Sequence, residues 1–286
     1  MRTSTQPISP GQVSPQRAVP REIHRPGYLD TGGIPARRAL PAVADGDAVA
    51  KLRRSCQAAR RVLDVVGAAV SEGTTTDELD AIAHDAYVRE GGYPSPLGYR
   101  GFPKSICTSV NEVVVHGIPD NRPLRDGDIV NCDITIFLDG MHGDCSATYL
   151  VGDVDADTRR LVAVTEEALD AGVAAARTGG RLREIGRAIQ RIANREGFGI
   201  VRELVGHGIG EEFHGEPYVH HYDEPRDRTK LRPGMAFTIE PMLTLGDPDV
   251  VQWDDGWTIV TLDGQPSAQF EHTVLVTENG VEVLTA

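Results

Sequence analysis

The sequence predicts a mixed α/β (α+β) domain made of two related halves, and three observations carry that prediction. A helix-turn-helix pattern occurs twice, 106 residues apart. The strand motifs that follow the two copies echo one another. A hairpin at Asp139-Gly140 carries two aspartates on its arms, where Val, Ile or Thr would suit a strand better.

In chain order, residues 1–40 hold six prolines and six arginines against Glu22 and Asp30. They show no amphipathic period, so an extended N-terminal segment laid along the domain surface is expected, followed by one domain over 41–286. Pro7-Ile8-Ser9-Pro10 is a formal PxxP, which in proline-rich sequence reads as linker. Val49, Leu52, Cys56, Ala59, Leu63, Val66 and Val70 recur at steps of three and four, the spacing of an amphipathic helix. Gly73 breaks it. Thr75 and Glu78 then form a capping box that starts a second helix, running to about Glu90 and stopped by Gly91-Gly92. Nine of the 29 positions from Leu63 to Gly91 are identical to those from Leu169 to Gly197, where background frequencies give roughly two. This is a duplicated unit.

In "NCDITIFLDGMHGDCSATYL", Asp139-Gly140 between alternating apolar runs signals a two-residue hairpin. Asp133 then faces Ser146, and Asp144 is its diagonal neighbour on the same face, with α carbons roughly 7–8 Å apart. Two ionised carboxylates brought together need a shared proton or a cation. Taken alone, the pair reads as a solvated polar face. The second half breaks the tie. "HGIP" at His116 is answered by "HGEP" at His214, "LRDGDIVNCD" by "LRPGMAFTIE", and "DCS" at Asp144 by "EHT" at Glu271. Four carboxylates (Asp133, Asp144, Glu240, Glu271) would therefore meet across a pseudo-two-fold axis, with His207 of "GHGIGEEFHGEP" beside them. Such oxygen-rich ligation with one imidazole suits Mn²⁺, Fe²⁺, Co²⁺ or Zn²⁺. Two ions at roughly 3.5–4 Å support hydrolysis. Phosphoester hydrolysis uses similar pairs, but no glycine-rich phosphate loop or basic cluster lies near these residues.

"YRGFPKSICTSVNEVVVHGIP", "GHGIGEEFHGEP", "MAFTIEPM" and the carboxylate spacings together resemble the type I methionine aminopeptidases, over roughly residues 45–285. The resemblance implies the pita-bread fold, with duplicated helix-helix-strand halves around a dinuclear centre. It also implies removal of the initiator methionine from nascent proteins whose second residue is small. Carried over by position, Asp133 chelates one metal, His207 and Glu240 hold the other, and Asp144 and Glu271 bridge. The two divalent ions would be Co, Mn, Fe, Zn or Ni. Glu240 would shuttle the proton of the attacking water, and His116 and His214 would contact the substrate and its tetrahedral intermediate. Tyr99, Phe102, Cys107, Phe213 and Trp257 match positions lining the methionine pocket, although from sequence alone they read as core. Asn111, Val113 and Ser267 match a monovalent-cation site. Val115 stands where a cysteine is common before the first histidine. His142 shares a face with Asp144 but matches no family role and is read as structural.

Composition narrows the alternatives. With 40% hydrophobic and 25% charged residues, the chain can bury a sizeable core. No apolar run approaches the roughly 18 residues of a membrane span. Cys56, Cys107, Cys132 and Cys145 have no zinc-like spacing, so reduced thiols in a cytoplasmic, monomeric protein with no membrane partner are expected. Alternation turns Cys132 and Cys145 away from the ligand face. The net charge of −13 argues against a general nucleic-acid surface, yet residues 1–40 carry +4 and the remainder −17. Ribosome contact through that segment is therefore one expectation and bracing of the acidic domain another. Xaa-Pro peptidases of the same fold usually add an N-terminal domain, for which 40 residues are too few. Type II methionine aminopeptidases insert a subdomain where only 25 residues separate His214 from Glu240. Non-catalytic relatives that bind RNA or ribosomes have lost ligands that are all present here.

Overall fold

The computed structural model describes residues 7–35 and 46–286, so the expected boundary at residues 40 and 41 lies outside the described residues. The helices come as two pairs: α1 (Gly46–Gly67) with α2 (Thr76–Arg89), and α3 (Ala156–Ala175) with α4 (Arg183–Glu196). α1 buries Leu52, Cys56, Ala59, Leu63 and Val66 of the expected stripe. It ends at Gly67, short of Val70, because the chain tightens into turns in which Ala69 N–H donates to Val66 and Val70 N–H to Gly67. The capping box forms as expected: Thr75 N–H donates to Glu78 Oε2 at 2.7 Å, and Glu78 N–H to Thr75 Oγ1 at 3.1 Å. Gly91 and Gly197, equivalent in the two copies, both turn left-handed after their helices (φ 74° and 76°). α4 lacks the capping box, since apolar Leu182 occupies its N-cap.

A nine-stranded antiparallel sheet joins the halves. Its main order is Tyr93–Pro94, Ile129–Leu138, Met141–Leu150, Glu271–Thr277, Ala236–Ile239, Gly206–Gly208 and Gly215–Val219. Cys107–Val110 joins the second of these strands, and Gly280–Val283 the fourth. Each half keeps its own apolar core. Val62, Leu63, Leu79 and Tyr87 of α1 and α2 pack on Cys132, Ile134, Ile136 and Cys145. Leu161, Leu169, Ile185 and Ile189 of α3 and α4 pack on Phe237, Ile239 and Val274. Both hairpin cysteines thus lie on the helix side of the sheet, as alternation requires.

The hairpin has the expected register, Leu138 opposite Met141 and Asp133 opposite Ser146. Asp139 and Gly140 are both left-handed (φ 54° and 85°), the conformation of a type I′ turn. α1 lies directly on this hairpin: Ser55 Oγ donates to the Met141 carbonyl at 2.9 Å. The approach is so close that a β-carbon at Gly143 would stand 2.5 Å from the Cys56 nitrogen.

Residues 7–35 run mostly as coil over the domain, with one 3-10 turn at Gly27–Thr31. Gly11 N–H donates to Asp120 Oδ2 at 2.7 Å and Ser14 Oγ to Asp77 Oδ1 at 2.7 Å. Asp77 also pairs with the buried Lys104. Ile23 is buried among Tyr93, Leu97 and Phe137.

Gly143→Ala is expected to destabilise the protein by about 1–3 kcal/mol, because the added methyl must push α1 off the hairpin. Denaturant unfolding of the variant beside the parent measures this, and an unchanged midpoint would contradict it.

Candidate metal centre and active site

Five neighbouring strands deliver the candidate ligands to one place. Asp133 lies on Ile129–Leu138, and Asp144 on Met141–Leu150 opposite Thr135. Ser146, two residues along from Asp144, pairs with Glu271, the first residue of its strand. Glu240 directly follows Ala236–Ile239, and His207 is central in Gly206–Gly208, the next strand of the sheet. His207 Nε2 lies 3.7 Å from Glu240 Oε1 and 3.9 Å from Asp144 Oδ2. Ligand atoms of Asp144, His207 and Glu271 all fall within 4.8 Å of one another. Asp133 lines the same cavity as Asp144, His207, Glu240 and Glu271. The residues that the sequence echo pairs are therefore brought together at one cavity.

Hydroxyl and amide neighbours orient these groups. Thr135 Oγ1 donates to Asp144 Oδ1 at 2.8 Å, Thr238 Oγ1 to Glu240 Oε1 at 2.7 Å, and Gln269 Nε2 to Glu240 Oε2 at 3.2 Å. Glu240 N–H donates to His221 Nε2 at 3.1 Å. His207 Nδ1 lies 3.2 Å from the Gly208 carbonyl, which can only accept. That contact puts the proton on Nδ1 and leaves the Nε2 lone pair facing the carboxylates.

Electrostatics decides what the cluster can hold. Burial raises all four carboxyls above the ordinary range, and the Asp133 charge adds to the rise at Asp144, the Asp144 charge to that at Glu271. Burial also pushes the His207 imidazole down to about 4, so it is neutral and ligand-ready near pH 7. Among the described residues, no lysine or arginine lines this cavity. A buried group of carboxylates with no protein cation beside it, plus an imidazole presenting a lone pair, fits divalent metal ions.

The cluster forms the floor of a cavity of about 140 Å³. Its walls include Tyr99, Phe102, Cys107, Phe213 and Trp257, and both His116 and His214 line it. Phe102 and Trp257 meet edge to face at 5.1 Å, and Trp257 meets the His116 ring at 5.9 Å. Phe213 stacks on His214 at 4.0 Å, and His214 Nδ1 lies 3.1 Å from Tyr99 Oη. His116 holds a left-handed backbone (φ 57°), uncommon outside glycine and asparagine. Asn111, Val113 and Ser267 do not line the cavity. Two of them meet elsewhere, where Ser267 N–H donates to the Asn111 carbonyl at 2.9 Å. His142 lies behind the wall, its Nδ1 2.8 Å from Ser95 Oγ and its ring stacked on Phe213 at 5.3 Å.

The sequence reading missed Thr135, Thr238 and Gln269, which hydrogen-bond two of the candidate ligands. Their signal was available: each stands two residues from a candidate ligand, after Asp133 and before Glu240 and Glu271, the spacing that returns a side chain to the same side of an extended chain. His221 had no such signal, because its contact with Glu240 joins separate segments.

Comparison with known proteins agrees with this geometry. The profile of metallopeptidase family M24 matches residues 50–278. Methionine aminopeptidase 2 of Mycobacterium tuberculosis is 50% identical over 280 residues, covering 97% of each chain. Chloroplastic methionine aminopeptidase 1B of Arabidopsis thaliana is 47% identical over 98% of this chain and 75% of its own. The crystal structure of methionine aminopeptidase from Rickettsia prowazekii superposes with a TM-score of 0.84 at 42% identity, over 86% of this chain and all of that one. Prolidase from Pyrococcus furiosus, at 23% identity and a TM-score of 0.70, shares the fold. The chain belongs to metallopeptidase family M24 and, within it, to the methionine aminopeptidases.

Proposed function

We propose that the protein hydrolyses the first peptide bond of polypeptides that begin with methionine, with His116, His214 and Glu240 as its catalytic side chains. The observation that carries this reading is the continuity of one cavity, from aromatic and thiol walls to a carboxylate and histidine floor. A thioether packs well against aromatic rings, and the scissile carbonyl of a methionine seated there falls over the ligands. Asp133, Asp144, His207, Glu240 and Glu271 would hold two divalent ions, with Asp144 and Glu271 shared between them. When bound, such ions lower the pKa of a water and polarise the carbonyl.

The side chains supply the rest. Glu240, held by Thr238 and Gln269, takes the proton of the attacking water and passes it to the departing amine. His214 donates from Nε2 to the oxygen that becomes negative as the carbonyl turns tetrahedral, and Tyr99 Oη at 3.1 Å from Nδ1 orients it. His116, beside Trp257, contacts the substrate backbone.

Asp144→Asn and Glu271→Gln are each expected to lower turnover on the order of 10³-fold, as for loss of a central electrostatic group. Near-normal turnover at matched metal occupancy would contradict their shared role. Metal uptake should release protons, because ions displace them from raised carboxyls, and affinity should rise with pH. Titration in weak buffer with a pH electrode reads both; uptake without proton release would mean that the carboxyls are already ionised. Peptides beginning Met-Ala should be cleaved and those beginning Met-Lys rejected, because a closed pocket excludes bulk by clash. Mass spectrometry of Met-Ala-Ser, Met-Lys-Ser and a Xaa-Pro peptide tests this, and comparable cleavage of the first two, or preference for the third, would overturn the substrate reading.

A further inference from the structure

Tyr28 belongs to the N-terminal segment, yet it is buried among residues of the active-site wall. Only 8% of its surface is exposed, and it clusters with Tyr99 and Phe213. Its ring meets Tyr99 edge to face at 5.1 Å, and its hydroxyl donates to the Ser95 carbonyl at 2.5 Å. Two routes lead from there to His214. In the first, Tyr99 carries the contact to His214 Nδ1 at 3.1 Å. In the second, Ser95 Oγ meets His142 Nδ1 at 2.8 Å, His142 stacks on Phe213, and Phe213 stacks on His214. Both routes start at Tyr28 or at the residue it bonds.

The segment is fixed in this position by its backbone. Gly33 N–H donates to the Tyr28 carbonyl at 2.8 Å, and Arg100 N–H donates to the Gly33 carbonyl at 2.9 Å, tying the loop to the residue beside Tyr99. Gly33 has φ 86°, and a β-carbon there would stand 2.2 Å from the Gly98 carbonyl oxygen. Only glycine permits that approach.

The hydroxyl of Tyr99 explains why its position matters. It lies 3.1 Å from His214 Nδ1, and when it donates its phenolic proton there the imidazole proton sits on Nε2. A tilted Tyr99 would release that tautomer.

We infer that Tyr28 is a positioning residue of the active site, holding Tyr99 and Phe213 so that His214 presents its Nε2–H to the substrate. The N-terminal segment is thereby part of the catalytic apparatus. This inference rests on the proposed peptidase activity.

The test uses the full-length, metal-loaded protein and Met-Ala-Ser. Activity of the parent establishes the peptidase reading first; an inactive parent would refute that reading. Given an active parent, Tyr28→Ala is expected to lower kcat/KM about 10–100-fold, the usual effect of removing the support behind a working group. The loss should fall mainly on kcat, because His214 acts on the developing oxyanion. Tyr28→Phe keeps the ring and should recover most of it. Gly33→Ala, which touches no cavity residue, should reproduce the loss by lifting the segment. Ile23→Ala, in the same segment but packed on Tyr93, Leu97 and Phe137, should lower the melting temperature and leave kcat unchanged below it. Should Tyr28→Ala fail to fold, Tyr28→Leu replaces it and carries the same expectation. Parent-like kcat in Tyr28→Ala or Tyr28→Leu at matched metal occupancy would overturn the inference. So would equal kcat losses in Ile23→Ala and Tyr28→Ala, because the segment would then act through stability alone.

Discussion

Four carboxyls packed together in a cavity that no described lysine or arginine lines form the constraint on which the rest of this structure depends. Left ionised, they repel at short range in a medium that screens poorly. Left protonated, they make no use of their arrangement. The fold hydrogen-bonds Asp144 and Glu240 with neutral donors, Thr135, Thr238 and Gln269, which orient these oxygens and leave their negative charge to be met by a cation. An arginine in any of those places would satisfy the same oxygens and abolish the demand for a metal. Neutral support is therefore a functional choice as well as a structural one.

The duplication supplies the geometry. One half brings Asp133 and Asp144 on a hairpin whose other face is buried under α1 and α2; the other brings His207, Glu240 and Glu271 on strands backed by α3 and α4. Two separate cores anchor the two ligand sets, and one continuous sheet fixes the distance between them. The asymmetry is as informative as the repeat. His207, the imidazole that meets the carboxyls, comes from the second half, and the N-terminal segment reaches Tyr99 and Phe213 through Tyr28.

Much of this was legible in the sequence because it is encoded locally. The capping box, the Asp139-Gly140 turn and the hairpin register each depend on a few adjacent residues, and each forms as read. That Asp133, Asp144, Glu240 and Glu271 come to one cavity was legible through the internal echo, and that Tyr99, Phe102, Cys107, Phe213 and Trp257 line it through the family resemblance. The end of α1 was misplaced because a run of helix-compatible residues continues past Gly67, while tight turns take over there. The path of residues 7–35 was legible only in outline. Prolines and charge contrast announce a segment lying on the surface, but nothing local says that Tyr28 passes beneath Tyr99. That contact joins residues 71 positions apart with no pattern between them.

The alternation along Ile129–Leu138 has a consequence for how such a protein can change over generations. Val130, Cys132, Ile134 and Ile136 face the helices, while Asn131, Asp133 and Thr135 belong to the opposite face. Drift at the even-numbered positions alters how long the molecule survives in a cell; drift at the odd-numbered ones alters what it does while it survives. Selection for durability and selection for chemistry thus act on interleaved residues of a single strand, and a lineage can move along one without surrendering the other.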